Sequence, residues 1–206
     1  MGWLPSGRGA PIPTARLVTG PPQGLWWRYQ VKSATQLSPF MMVFLPDGTM
    51  AHLPRSGSGT QVDIAQQRER HGSEYVGTFR VTGNEITTSI NNYTRTEPFS
   101  TGTNKGEEWF EIGGGRHYPL ARASARGLVG RWRGDGQSYV FRADGTFESG
   151  YITNNSEFTA TQSGRGTWQL DGFLLGFTLA DGSLYIDLSG MTNGFLVIGS
   201  IVHTRQ

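Results

Sequence analysis

Apolar and polar positions along this chain alternate or cluster over strand-length stretches, and tight turns separate the stretches. Phe40-Met41-Met42-Val43-Phe44-Leu45 is a continuous apolar run of the length a buried strand requires. Pro46-Asp47-Gly48-Thr49 follows it; proline presets φ and Asp-Gly accepts positive φ, so the run ends in a turn. Trp26 to Val31 alternates weakly. Val81-Thr82-Gly83-Asn84-Glu85-Ile86 and Leu170-Asp171-Gly172-Phe173-Leu174 read as further hairpins, and Ala180-Asp181-Gly182-Ser183 as another Asp-Gly turn. Asn91 to Asn104 reads as a polar hairpin end or loop. Val62 to Arg70 is the one segment with helical character, two or three turns at most, and Gly72 would end it.

The strand landmarks occur twice in the same order. Gly24-Leu25-Trp26-Trp27-Arg28, Phe44-Leu45-Pro46-Asp47-Gly48-Thr49, Gly77-Thr78-Phe79 and Trp109-Phe110-Glu111-Ile112 form the first series. Gly130-Arg131-Trp132-Arg133, Phe141-Arg142-Ala143-Asp144-Gly145-Thr146, Gly166-Thr167-Trp168 and Phe195-Leu196-Val197-Ile198 form the second. Each series then reaches a histidine, His117 and His203. The series differ most where the first carries His52 to Ser73 and the second a Ser/Thr/Asn-rich stretch, Thr153 to Ser163. The sequence therefore predicts an internal duplication: a Pro/Gly-rich arm at 1–23, a β repeat at 24–122 and a second at 127–206.

About five strands per repeat rarely close alone, because the edges stay open. The expected fold is all-β: an antiparallel meander of about ten strands forming one pseudo-symmetric barrel from the two repeats. The alternative is two small half-barrels side by side. The arm holds Pro5, Pro11, Pro13, Pro21 and Pro22, and proline cannot donate within a sheet. It is therefore read as an extended segment that docks on the body, on a neighbouring subunit or on a protein partner.

Composition narrows the function classes. The chain has 206 residues, 30 glycines, 12% aromatics and only 17% charged residues, which suits a turn-rich β protein. The net charge is +2, and nearly all the basic residues are arginines scattered without a run. That leaves no strong field for nucleic acid. The absence of cysteine excludes disulfides, thiolate metal sites and a cysteine nucleophile. No apolar run reaches the ~18 residues of a membrane span. Met1 to Pro5 lacks the basic start and apolar core of a signal peptide, which fits a cytoplasmic protein or a trimmed form of an exported one.

Gly130-Arg131-Trp132 at the head of a strand, followed by a Phe-x-x-Asp-Gly hairpin, resembles the lipocalin-like (calycin) barrels; Gly24-Leu25-Trp26 fits the same signature. The resemblance implies a first-strand tryptophan that closes one barrel end, with a last-strand arginine stacked on it. Trp27 and Trp132 are then the barrel-end tryptophans, and Arg122 and Arg205 the candidate stacking arginines, with cation–π attraction as the physical reason. The resemblance also implies a small apolar or amphipathic ligand inside the barrel. Met42, Phe44, Tyr75, Phe79, Trp109, Phe141, Trp168, Phe177 and Tyr185 are the candidate interior residues; Met41 belongs to the same apolar stretch. They either line a cavity or fill it.

Candidate chemistry is sparse. His52, His71, His117 and His203 are dispersed without metal-ligand spacing, and no metal or cofactor is expected. His71 with Asp63 and Glu74 is the densest titratable cluster and reads as a solvated loop. Glu107 and Glu111 would share one strand face, with Glu108 on the other, as on any exposed strand. Gly57-Ser58-Gly59 and Gly113-Gly114-Gly115 lack the lysine and helix start of a phosphate loop and read as turns. Asn92-Tyr93-Thr94 and Asn154-Asn155-Ser156 match the glycosylation sequon. Three functions stay open: a non-enzymatic ligand-binding barrel, a filled barrel acting as a structural or docking module, and a cofactor-free cyclase or isomerase using a shaped cavity.

Overall fold

The computed structural model describes residues 9–17, 21–33, 36–52, 57–104, 106–155, 158–199 and 201–206. The start of the arm, residues 1–8, and Ser156 of the second sequon lie outside them. Among the described residues the chain forms two compact units, Met1–Ala121 and Arg122–Gln206, each built almost wholly of antiparallel strands.

The first unit contains β1 (Ala10–Pro11), β2 (Arg16–Leu17), β3 (Pro22–Ser33), β4 (Gln36–Phe44), β5 (Thr49–His52), β6 (Gly57–Ser58), β7 (Gln61–Val62), helix α1 (Ile64–His71), β8 (Val76–Thr82), β9 (Glu85–Ile90), β10 (Tyr93–Asn104), β11 (Glu107–Ile112) and β12 (Gly115–Pro119). Strands β3, β4, β5, β8, β9, β10, β11 and β12 pair in that order, and β12 pairs back on β3 to close an eight-stranded barrel. β1, β7 and β6 form a small separate sheet.

The second unit contains helix α2 (Ala125–Leu128), β13 (Gly130–Arg133), β14 (Gln137–Phe141), β15 (Thr146–Asn155), β16 (Phe158–Asp171), β17 (Leu174–Leu179), β18 (Leu184–Thr192), β19 (Phe195–Ile198) and β20 (Ile201–Arg205). β13 to β20 form a closed barrel in sequence order, with β20 pairing on β13.

The single ten-stranded barrel expected from the sequence is thus replaced by two closed barrels of eight strands, nearer to the two-unit alternative. The added strands come from polar stretches. Asn91 to Asn104, expected as a polar hairpin end or loop, is largely β10. Of the Ser/Thr/Asn-rich stretch Thr153 to Ser163, the described residues 153–155 and 158–163 lie in the paired ends of β15 and β16, joined from Asn155↔Phe158 back to Thr146↔Thr167. With eight strands each unit removes its own edges and needs no second copy to close.

The Asp-Gly turns share one geometry. Leu45 N donates to Thr49 O at 2.8 Å and Gly48 N to Leu45 O at 3.1 Å; Arg142 N donates to Thr146 O at 2.9 Å and Gly145 N to Arg142 O at 3.1 Å. The aspartate carboxylates accept from the backbone two residues on, Asp47 from Thr49 N and Asp144 from Thr146 N, both at 2.9 Å. Gly48 and Gly145 have φ of +83° and +82°, which is why glycine follows the aspartate. Each turn glycine carbonyl then accepts from the next long strand, Gly48 O from Phe79 N at 2.7 Å and Gly145 O from Trp168 N at 2.8 Å.

Helix α1 begins two residues later than the sequence pattern, with Asp63 as its N-cap accepting from Gln66 N at 2.9 Å, and Gly72 closes it. Gln67 is fully buried under the barrel wall and donates to His52 O at 3.1 Å, tying the helix to the end of β5.

The described part of the arm belongs to the first unit. Ile12 is buried, Ala15 and Leu17 pack on the barrel core, and Leu17 N donates to Glu108 Oε2 at 3.0 Å. A side chain on Gly24 would run into the backbone of Ala15 and Pro13, so the glycine of the first Gly-x-Trp is the point where the arm crosses the barrel end.

Candidate functional site

Strand alternation sets which side chains enter each barrel. In the first, Trp26 pairs with Met42 and Pro119, and it is fully buried among Phe44, Phe79, Phe99, Phe110 and Ile86. Its ring meets Phe110 edge-on at 4.8 Å, and its Nε1 donates to Gln23 O at 2.8 Å. Trp26, rather than Trp27, is therefore the interior tryptophan of this barrel. Trp27 is one residue on and so faces outward, against Tyr29 and Tyr118.

One pleat further along each strand the apolar layer gives way to a mixed one. From Trp26 the inward position moves to Arg28, from Phe44 to Met42, from Ile86 to Thr88, from Phe99 to Glu97 and from Phe110 to Ile112. These residues, with Phe40, Met50, His52, Ile90, Tyr93, Arg95, Gly113 and His117, line an open cavity of about 480 Å³. That size is within the range of small-molecule sites.

The charged groups of this mouth are held in specific ways. The Arg28 guanidinium carbon lies 5.6 Å from the Phe40 ring centroid, and Arg28 Nε has no hydrogen-bond partner. Burial draws its pKa down and Glu97 opposes that shift; guanidinium remains a cation at neutral pH. Glu97 is paired with Arg95 at 2.8 Å, and its side chain is 14% exposed. His117 stacks on Phe110 at 4.5 Å and 9°, and its Nδ1 has no hydrogen-bond partner. His52 meets Phe40 edge-on at 4.9 Å. Burial, with Arg28 adding to it, pushes His52 down to about 4 and His117 to about 3. Both are neutral at physiological pH.

The Gly113-Gly114-Gly115 turn between β11 and β12 borders this cluster. A Cβ on Gly115 would run into Arg28 Nη1, and one on Gly113 would meet Glu97 Oε1. The missing side chains leave room for the two charged groups.

The second barrel is occupied by rings. Tyr139 stacks on Phe141 and on Phe177, both at 5.5 Å, and meets His203 at 5.3 Å. Phe177 also meets Phe147 at 4.9 Å, and Phe141 meets Trp168 at 5.6 Å. Burial pushes Tyr139 up to about 12, with Asp187 adding to the shift, and burial pushes His203 down to about 4. Trp132 Nε1 donates to Leu128 O at 2.7 Å, and Arg205 lies over the Trp132 ring, 5.1 Å from its centroid.

The sequence-derived interior set is divided by this arrangement. Met42 lines the first cavity, and Phe44 and Phe79 are in the core beneath it. Phe141, Trp168 and Phe177 belong to the second core. Tyr75 lies beyond α1 against His71. Trp109 faces outward under Arg116, 4.4 Å from the guanidinium carbon. Tyr185 is 60% exposed. Arg122 lies over Phe173, 5.6 Å from its ring centroid. Pro119 occupies in β12 the register position that Arg205 occupies in β20, opposite the interior tryptophan.

Arg28, Arg95 and Glu97 were not singled out by the sequence, and His52 and His117 read only as dispersed histidines. The signal was present in the alternation: once Trp26 faces inward, Arg28 must too. Among the described residues no three His, Asp or Glu side chains come together as a metal site, and no helix is long and apolar enough to cross a membrane.

The fold and site define a protein of two closed eight-stranded β-barrels, the first with a cation-lined mouth over an apolar floor. No protein family, curated protein or solved structure matches this chain.

Proposed function

We propose that the first barrel binds a small amphipathic molecule in its mouth, without catalysing a reaction. The observation that carries this reading is the cavity of about 480 Å³ with Met42, Met50 and Ile112 in its lining beside Arg28, Glu97 and His117. An apolar lining with a few convergent polar groups is the usual composition of a ligand site. The second barrel is read as a structural unit, because ring-on-ring contacts cross its interior. The shared strand order and Asp-Gly turn geometry support a duplicated barrel in which one copy kept a cavity and the other filled it. The Gly130-x-Trp132 and Arg205 arrangement supports a lipocalin-like origin.

The test is titration of the full chain with an environment-sensitive apolar dye, followed by displacement with a medium-chain amphiphile. Saturable binding, lost in Thr88→Trp, which fills the mouth, is the expected result. Binding unchanged in that variant, or no saturable binding, overturns the proposal.

A further inference from the structure

We infer that the mouth of the first barrel selects a ligand with a single negative charge, a carboxylate on an apolar chain, and that Arg28 is its anchor. This inference rests on the amphiphile-binding reading above and adds the chemical class of the ligand.

The cavity carries an uneven set of charges. Among the described residues of the lining, Arg28 and Arg95 are cations, Glu97 is the one acid, and His52 and His117 are held neutral by burial. Tyr93 at the rim is 70% exposed. The formal balance of these described residues is one positive charge. Glu97 is paired with Arg95 at 2.8 Å, and Arg28, which feels Glu97 only through space, has no direct ion pair among the described residues. Arg28 is also the more enclosed of the two: the Arg95 side chain is 60% exposed, whereas Arg28 sits one pleat above Trp26 with an unpartnered, buried Nε.

An enclosed guanidinium with an unused donor is a costly feature unless an acceptor completes it. A carboxylate is the acceptor whose two oxygens match the guanidinium fork. The neighbouring neutral imidazoles tolerate that charge without competing for it. Gly115 keeps the approach to Arg28 clear, since a Cβ there would occupy the position of Nη1. The same surroundings disfavour an amine, which would add a second cation beside Arg28, and leave Arg28 unsatisfied by an alkane or an ester.

The experiment compares decanoate, decanol and decylamine by calorimetry at neutral pH, on the full chain and on Arg28→Met, with Arg116→Met on the outer face as a charge-matched control. Decanoate is expected to bind at least tenfold more tightly than decanol, and decylamine most weakly. Arg28→Met should remove the preference for the acid while keeping decanol affinity within about twofold, and Arg116→Met should leave the preference intact. Equal affinities for acid and alcohol in the unmodified chain, or a preference that survives Arg28→Met, overturn the inference while the amphiphile site stands. Failure of all three probes to bind overturns both. Far-ultraviolet circular dichroism and melting of Arg28→Met separate a lost anchor from a lost fold.

Discussion

Arg205 holds both ends of the second barrel's closure at once. Its guanidinium carbon is 5.1 Å from the Trp132 ring centroid, and its Nη2 donates to Gly127 O at 3.0 Å and Val129 O at 2.7 Å. Trp132 in turn donates to Leu128 O. The last strand, the first strand and the short helix before it are thus joined through two side chains. Gly130 has φ of +139°, and a Cβ there would lie 3.4 Å from the guanidinium, so the residue that begins the strand is also the one Arg205 crosses.

Trp132→Ala should destabilise the second unit by about 3–5 kcal/mol, the cost of emptying a buried aromatic site. Arg205→Ala should cost about 1–2 kcal/mol, from the lost cation–π contact and hydrogen bonds. Chemical denaturation of both variants checks the order. An Arg205→Ala loss equal to that of Trp132→Ala, or a Trp132→Ala loss under about 1 kcal/mol, would contradict the assignment of Trp132 as the barrel-end plug.

Gly115→Ala tests the mouth without emptying the core. No left-handed φ is required at this position, and the atom a new Cβ would meet is the free end of the Arg28 side chain. A flexible side chain can move aside, so stability should change by less than about 1 kcal/mol. The displaced guanidinium should weaken acid binding at least fivefold and leave alcohol binding nearly unchanged. Calorimetry on the variant measures both. Acid binding as tight as in the unmodified chain would mean that Arg28 is not held where the carboxylate docks.

The three depressed histidines make stability depend on pH. His52, His117 and His203 are drawn down from 6.5 to about 4, 3 and 4, chiefly by burial. The folded state keeps them neutral while the unfolded chain protonates them near 6.5, so the unfolded state binds more protons as pH falls. Stability should hold above about pH 6.5 and drop between there and about pH 4, by on the order of 1.4 kcal/mol per pH unit for each histidine that lags fully. Urea unfolding across that window measures the slope. His203→Leu should flatten it, because both its ring nitrogens are buried without partners; an unchanged slope would show that His203 is not a source.

Much of the local structure was legible in the sequence. The Asp-Gly turns follow from aspartate and glycine chemistry, and the end of α1 from Gly72; the N-cap role of Asp63 did not show in the pattern. The strand count was not legible, and β10 shows why. Its inward positions, Tyr93, Arg95 and Glu97, face a polar mouth, and its outward ones carry Thr94 and Thr96, so neither face is apolar until Phe99. A strand with two polar faces has no period to detect. The mouth was hidden for the same reason: its residues come from seven strands spread between Arg28 and His117, and only the closed barrel brings Arg28, His52, Glu97 and His117 to one cavity. Trp26 and Trp27 are adjacent aromatics, and sequence alone does not fix which of a pair faces inward.

Ligand is proposed to bind in the first barrel and not the second. The most direct measurement is nuclear magnetic resonance of the isotope-labelled full chain titrated with decanoate. Shifts are expected to concentrate on Arg28, His52, Thr88, Glu97 and His117, with Tyr139, Phe177 and His203 unmoved. Shifts centred on the second set, or spread over both barrels without saturation, would contradict it.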